Sequence, residues 1–199
     1  MRKAVSSVLI VIGVLVIIFP SLRVVYFERK QDDILEAWES LTCHLEEDAF
    51  HEGSEAQDFW GSIKLEDIDG ILEIDRIDLK EPVFKEVTET NLYVGVAKIQ
   101  TESELGAIGN YAIAGHRNRT YGKHFNRLGE LEKGDLIKVS CAEELYTYEV
   151  YEVLIVKAED SWVIQGNGKD SLITLVTCDY SVKPTGRLVI RAKSVEQGH

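Results

Sequence analysis

The chain opens with a long run of apolar positions. Residues 4–22 contain no charge, and their centre, VLIVIGVLVII, is aliphatic apart from one glycine. A helix of about 20 residues spans the roughly 30 Å hydrocarbon core of a bilayer. A cleaved signal peptide would have a shorter apolar core and then small residues, whereas bulky residues, IIFPSLRVVYF, follow here. The pattern therefore predicts an uncleaved transmembrane anchor within residues 1–30.

A polar, acidic segment follows this run. Residues 32–69 contain thirteen acidic residues and a single lysine, Lys64. Apolar residues recur in it at helical spacing, at Ile34, Leu35, Trp38, Leu41 and Leu45. This spacing predicts one amphipathic helix from about residue 33 to residue 49. We interpret residues 31–69 as an acidic, partly helical stalk between the anchor and the main body.

From Gly70 onward the pattern changes to short stretches of alternating apolar and polar residues. They are rich in Val, Ile and Tyr and are separated by turn sequences such as EKGD and KPTG. HFNRLGELEK is expected to form a short helix. Many short strands are typical of a sandwich or a barrel, so residues 70–199 are predicted to form an all-β domain. The predicted strands are GILEIDRIDL, EPVFKEV, NYAIAG, DLIKVSC, YTYEVYEVLIV, LITLVTC and RLVIRAK.

Charge and cysteine content narrow the range of functions. The chain has 22 basic and 34 acidic residues, a formal net charge of −12. Nucleic acids and anionic lipid surfaces both bind basic faces, so we expect no nucleic-acid partner and no peripheral lipid docking. Three cysteines are too few for a disulfide-dense mini-domain or for paired zinc ribbons. We predict no metal centre and no cofactor.

Three chemically competent residues lie where predicted strands meet loops. Cys178 ends LITLVTC, His116 follows NYAIAG, and Arg187 opens RLVIRAK after a turn that would return this strand beside the cysteine. A nearby imidazolium favours a thiolate and can protonate a departing amine. A guanidinium can stabilise the oxyanion that forms when the thiolate attacks a carbonyl. Each residue also has a structural interpretation, as a buried thiol, a turn histidine or an edge-strand arginine.

Several sequence strings, in this order, resemble the sortase family. TLVTC (174–178) matches the family's TLxTC motif, and AGHRN (114–118) resembles its histidine segment. GRLVIRAK resembles the strand that carries the family's arginine, and EIDRIDLKEPV resembles its first strands. The resemblance covers about residues 70–193 together with the N-terminal anchor. The compact length and the DYSVKPTG loop are most similar to class D sortases, and less to classes B and A.

The resemblance implies a fold and an activity. The fold is an all-β, closed eight-stranded barrel with one or two short helices. The activity is that of a cysteine transpeptidase of the thiol-peptidase type. Cys178 would be the nucleophile, His116 the general acid and base, and Arg187 the oxyanion or substrate-binding cation. Arg191, on the same strand face, is the competing arginine, and Thr177 would contact substrate.

The resemblance also implies partners and a location. Substrates would be secreted proteins with a C-terminal LPxT-like sorting motif, and the acceptor would be an amine of a peptidoglycan precursor. The N-terminus would be cytoplasmic, and the catalytic domain would lie on the outer face of a Gram-positive cell membrane. Two alternatives stay open. One is a thiol hydrolase that resolves the intermediate with water, and the other is a non-enzymatic, membrane-tethered binding domain.

Two further features of the sequence are left open. Cys43 and Cys141 either form a disulfide outside the cell or remain inert thiols. Glu159 and Asp160 lie in a loop where some sortases bind a structural Ca²⁺ ion. The sequence shows no complete ligand set there, so a structural Ca²⁺ ion is left open and is not predicted.

Overall fold

Eight strands close into a barrel in the computed structural model of the chain. The structure describes residues 2–43, 64–99, 103–118, 120, 122–141 and 144–195. Around the barrel the strands follow the order β1-β2-β3-β4-β7-β8-β6-β5, and β5 pairs with β1. The strands are Ile68–Ile74 (β1), Leu79–Phe84 (β2), Val96–Lys98 (β3), Gly109–Ala114 (β4), Leu136–Cys141 (β5), Glu144–Val156 (β6), Ser171–Asp179 (β7) and Gly186–Ser194 (β8). The predicted all-β, closed eight-stranded barrel is confirmed.

The inside of the barrel is a continuous hydrophobic core. Leu72, Ile113, Ile137, Ile173 and Ile190 have no exposed surface, and all belong to one cluster of buried side chains. Each comes from a different strand, which is the alternation expected when one face of every strand points inward. Because these residues point into the core, the residues that alternate with them on each strand point to the outside of the barrel.

Strand direction places the ends of two distant segments side by side. β4 and β7 are parallel, with Ala114 opposite Val176. β7 and β8 are antiparallel, with Cys178 opposite Arg187. The ends of β4 and β7 and the start of β8 therefore meet at one rim of the barrel.

The prediction of the first strand is wrong for residues 75–78. GILEIDRIDL was expected to be a single strand, but β1 ends at Ile74 and a 3₁₀ turn occupies Asp75–Ile77. Asp78 has φ +50°, in the left-handed region, and the chain then reverses into β2. Ile77, inside this turn, is buried as well, so an apolar residue stands where the strand was expected to continue.

Short helices connect several strands. Glu89–Val94 forms one turn and a half of helix, here α2, which Thr88 caps by accepting a hydrogen bond from the Asn91 N–H at 3.1 Å. The short helix predicted within HFNRLGELEK is a 3₁₀ helix, Phe125–Glu130. Two further 3₁₀ turns lie at Leu65–Asp67 and Ser161–Ile164.

The N-terminal part of the chain forms one helix, α1, over Arg2–Cys43. We predicted an anchor helix and a separate amphipathic helix, but the described backbone continues through residue 30 without a break. Residues 44–49 of the predicted amphipathic helix lie outside the described residues. Within the described part of the chain, no helix is both long enough and apolar enough to cross a membrane.

The C-terminal half of α1 packs on the outside of the barrel. Phe27 and Ile34 are buried, and they join Phe84 of β2, Val94 of α2 and Ala97 of β3 in a second hydrophobic cluster. Glu28 forms an ion pair with Lys123 at 2.6 Å. This half of the helix is therefore part of the folded body.

Candidate active site

One cavity at the barrel rim is lined by all four of the predicted site residues, His116, Thr177, Cys178 and Arg187. Its volume is about 610 Å³. The rest of its wall is mostly apolar, with one acidic and one basic side chain among the lining residues Glu86, Val87, Leu92, Lys98, Ile99, Ala114, Gly115 and Val176. The four predicted site residues, which span 71 positions of the sequence from His116 to Arg187, are thus brought to one surface.

Cys178 reaches this cavity because of its place on β7. Neighbouring residues of a strand face opposite sides, and Leu175 and Thr177 are buried toward the interior. Cys178 therefore points outward, where it is partly exposed and is a free thiol. Arg187 lies directly across the ladder on β8, and directly opposed residues share a face.

Thr177 joins the strand of the thiol to the strand of the imidazole. Its hydroxyl donates a hydrogen bond to the Gly115 carbonyl at 2.8 Å, and the Gly115 N–H donates to the Val176 carbonyl at 3.1 Å. Only 2% of Thr177 is exposed. These two bonds hold Val176 and Thr177, the two residues before Cys178, against Gly115, the residue that precedes His116.

His116 follows β4 by two residues, and its exposed side chain lines the cavity. Its ring lies 5.8 Å from the ring of Tyr93, measured between centroids. Partial burial lowers the pKa of His116, the charge of His124 lowers it further, and Glu89 acts in the opposite direction. Because the ordinary value is about 6.5, the imidazole is mostly neutral at pH 7. It can therefore accept a proton as a base, and it acts as an acid once protonated.

The two candidate arginines have different surroundings. Arg187 lines the cavity, and one of its guanidinium N–H groups donates to the Gly186 carbonyl at 3.0 Å. Arg191 lies opposite Thr174, four residues before the cysteine on β7. Its guanidinium binds the Glu152 carboxylate at 3.1 Å and lies over the rings of Tyr151 and Trp162. The geometry favours Arg187 as the arginine of the site.

Sequence reasoning missed a second basic residue at this rim. Arg117, next to His116, has its guanidinium 3.5 Å from the Cys178 carbonyl and 3.4 Å from an Asp179 carboxylate oxygen. Asp179 is 3% exposed, and its pKa is lowered by the hydrogen bond from Ser181 and by Arg117. The only available signal was adjacency, since Arg117 and Asp179 each follow a predicted catalytic residue.

Cys141 and Asp160, two further candidates of the sequence, are not among the residues that line this cavity. Cys141 is a half-buried free thiol at the end of β5, and burial raises its pKa. The side chain of Cys43 is not among those described. No group of three or more His, Cys, Asp or Glu side chains in the described ranges could hold a metal ion. Asp160 instead accepts a hydrogen bond from the Lys157 N–H at 2.8 Å.

A closed eight-stranded barrel with a thiol, an imidazole and a guanidinium at one rim is the arrangement of a cysteine transpeptidase. Residues 72–195 match the family model of the sortase domain. The chain belongs to the sortase family, whose members are transpeptidases that anchor surface proteins.

Individual relatives agree with this assignment. Sortase A of Bacillus anthracis is 31% identical over 194 residues, which cover 94% of this chain and 91% of the relative. Sortase D of Bacillus subtilis is 30% identical over 129 residues, 63% of each chain. The solved structure of Listeria monocytogenes sortase A matches with a TM-score of 0.61 at 31% identity, over 65% of this chain and 88% of that one.

Proposed function

We propose that this protein is a membrane-anchored sortase that cleaves an LPxT-like sorting motif and transfers the acyl fragment to an amine of a peptidoglycan precursor. The observation that carries the proposal is the cavity shared by Cys178, His116 and Arg187, with the thiol strand and the arginine strand in direct register. Family membership supports the same reaction class.

The first half of the reaction forms a thioacyl enzyme. The Cys178 thiolate attacks the carbonyl of the threonine in the sorting motif, and a C–S bond forms as the carbonyl becomes an oxyanion. Arg187 stabilises that oxyanion because its guanidinium is a permanent cation. Protonated His116 gives its proton to the departing nitrogen, and the C–N bond breaks. The C-terminal fragment leaves as an amine.

The second half regenerates the enzyme. The acceptor amine attacks the thioester carbonyl, and neutral His116 takes the proton that the amine loses. The C–S bond breaks and Cys178 leaves as a thiolate, so a new amide has replaced the old one with no net change at the enzyme. Partial burial at His116, which keeps the imidazole mostly neutral near pH 7, suits it to this base role.

The lining of the cavity suits apolar side chains of a peptide. Val87, Leu92, Ala114 and Val176 contribute small and medium apolar side chains to the same cavity as the thiol. A sorting motif that begins with leucine and proline would place its apolar side chains there. Its polar end would reach the rim, where His116 and Arg187 lie.

Membrane anchoring is proposed from the N-terminal helix. Residues 4–22 are uncharged. The large apolar side chains between Ile12 and Phe19 are 46–72% exposed, so the folded body does not cover them. Burying such a surface in lipid is favourable at about 25 cal/mol per Å². In this proposal the N-terminus is cytoplasmic and the barrel extracellular, as the family resemblance implies.

The thiol is tested by paired cysteine variants. In Cys178→Ala, cleavage of a fluorogenic LPxT peptide is expected to fall by roughly 10³-fold or more, since removing a nucleophile disables the whole catalytic group. Cys141→Ala, which alters a free thiol outside the cavity, is expected to keep full activity. Mass spectrometry of the wild-type protein during turnover should detect the acyl fragment on Cys178.

The outcomes also separate the alternatives. Turnover retained in Cys178→Ala would contradict the proposal. Release of the free acid only, whether or not an amine is added, would indicate a thiol hydrolase rather than a transpeptidase. A non-enzymatic domain with a structural Cys178 would alkylate slowly. The partly exposed position of this thiol in the cavity argues against that alternative.

A further inference from the structure

A second histidine, His124, is buried beside the proposed site and takes no part in the mechanism above. It is 4% exposed, and so is Glu81 of β2, which faces it. The His124 ring nitrogen Nδ1 lies 3.0 Å from each of the two Glu81 carboxylate oxygens. The backbone N–H of His124 also donates to Glu81 at 2.8 Å. One carboxylate therefore holds both the ring and the backbone of this residue.

The backbone of His124 requires such support. Its φ is +48° and its ψ is −139°, a combination that residues with a side chain rarely adopt. Strained conformations of this kind persist only where the surrounding structure over-determines them, and they cluster at functional sites. The double contact with Glu81 supplies that constraint, and burial of both partners shields it from water.

His124 also closes the loop that begins at the proposed catalytic histidine. We name residues 116–118, 120 and 122–125 the histidine loop. At its base, Arg117 and His124 form an isolated β-bridge, and the Phe125 N–H donates to the His116 carbonyl at 3.1 Å. The backbone position of His116 is thus tied directly to the residue that follows His124.

Phe125 also contacts the backbone on the N-terminal side of His116, through its side chain. A Cβ atom placed on Gly115 would lie 2.5 Å from the Phe125 ring, so the ring packs directly on the backbone that precedes His116. Phe125 has no exposed surface. A shift of His124 would therefore move Phe125, and with it the segment from Gly115 to His116.

We propose that Glu81 and His124 are positioning residues for His116, and that their buried pair fixes the base of the histidine loop so that the imidazole meets the Cys178 thiol. This inference rests on the proposed function, because it assumes that His116 transfers the proton. The electrostatic effect of His124 on the pKa of His116 is consistent with their closeness. Neither Glu81 nor His124 lines the cavity, so both act through His116 rather than on the substrate.

The test compares Glu81→Ala and Glu81→Gln in the full-length protein, with an LPxT peptide as substrate. In Glu81→Ala we expect kcat to fall by about tenfold or more while KM changes little, because misplacing a catalytic group weakens the transition state rather than substrate binding. Glu81→Gln is expected to recover part of kcat, since an amide oxygen can still accept hydrogen bonds from His124.

Tyr148→Phe is the matched control for loss of stability. It removes a partly buried hydrogen bond, which the Gly106 N–H donates to the hydroxyl of the buried Tyr148 at 3.0 Å. Neither residue lines the cavity. We expect it to lower the melting temperature and to leave kcat unchanged well below that temperature. A Glu81→Ala protein that loses stability but keeps its kcat would overturn the inference.

A second measurement does not depend on activity. In Cys178→Ala protein, adding Glu81→Gln should shift the NMR signals of the His116 ring, whereas adding Tyr148→Phe should not. Unmoved His116 signals would overturn the inference even if Glu81→Ala fails to fold. Failure of the wild-type protein to cleave any LPxT peptide would instead contradict the proposed function, and the NMR result would still decide whether Glu81 positions His116.

Discussion

The ring of Tyr93 lies 5.8 Å from the ring of His116, and the surroundings of this histidine lower its pKa below that of a free imidazole. Burial favours the neutral ring, the charge of His124 favours it further, and Glu89 opposes both. A histidine in this state is ready to accept a proton near neutral pH. The groups next to the imidazole thus set its pKa, and with it the fraction of His116 that is protonated at a given pH.

The pKa of His116 can be measured directly. An NMR titration of the ring should give a midpoint below the ordinary value of about 6.5. Tyr93→Ala should raise the midpoint, because it exposes the ring to water. Folding stability should decrease as pH falls from about 6.5 through the midpoint, since in this window the unfolded chain binds more protons. A midpoint at or above 6.5 in the wild-type protein would contradict this account.

At the scale of elements, the register between β7 and β8 distinguishes the two arginines of β8. Arg187 and Arg191 share a strand and a face, so alternation in the sequence could not choose between them. Pairing with β7 does so, because it places Arg187 opposite Cys178 and Arg191 opposite Thr174. Arg191 is then engaged by Glu152 at 3.1 Å.

Lysine substitutions at the two positions should therefore behave differently. Arg187→Lys is expected to lower kcat/KM by about 100-fold, the scale observed when one oxyanion donor is removed, because lysine lacks the guanidinium fork. Arg191→Lys should retain kcat/KM and lose only stability. The test is to measure kcat/KM of both variants by steady-state cleavage of the same peptide. Equal losses of kcat/KM would contradict the assignment of Arg187.

Elements also show where sequence reasoning succeeded and where it did not. The strands at 110–115, 172–178 and 187–193 could be predicted because each has apolar alternation and a turn beside it. The helix Glu89–Val94 and the three-residue strand Val96–Lys98 were missed because both are too short for a periodic signal. The reversal at Asp78 was hidden by Ile77, which stays apolar inside the turn.

At the scale of the whole molecule, α1 and the barrel share one hydrophobic cluster. Phe27 stacks on Tyr93 with 5.5 Å between ring centroids, and Tyr93 in turn contacts His116. The sequence predicted an apolar stripe on this helix but could not show what it packs against. Contacts between residues so far apart, like the Glu81–His124 pair, depend on the closed fold and leave no local pattern.

Docking of α1 can be tested by hydrogen exchange. Phe27→Ala removes a buried aromatic ring, a change that costs about 3–5 kcal/mol in a well-packed core. Amides of residues 27–38 should then exchange faster than in the wild-type protein. Glu36→Ala, on an exposed position of the same helix, should leave their exchange unchanged. Equal protection in both variants would show that Phe27 does not hold the helix on the barrel.

The Phe27–Tyr93 stack has a consequence for where the chemistry takes place. Phe27 follows the uncharged run by only five residues, about 7.5 Å along a helix. If residues 4–22 are inserted in the bilayer, as proposed, only this short helical segment separates the membrane from the part of α1 that packs on the barrel. In that proposed arrangement the cavity of Cys178 would stay close to the membrane surface.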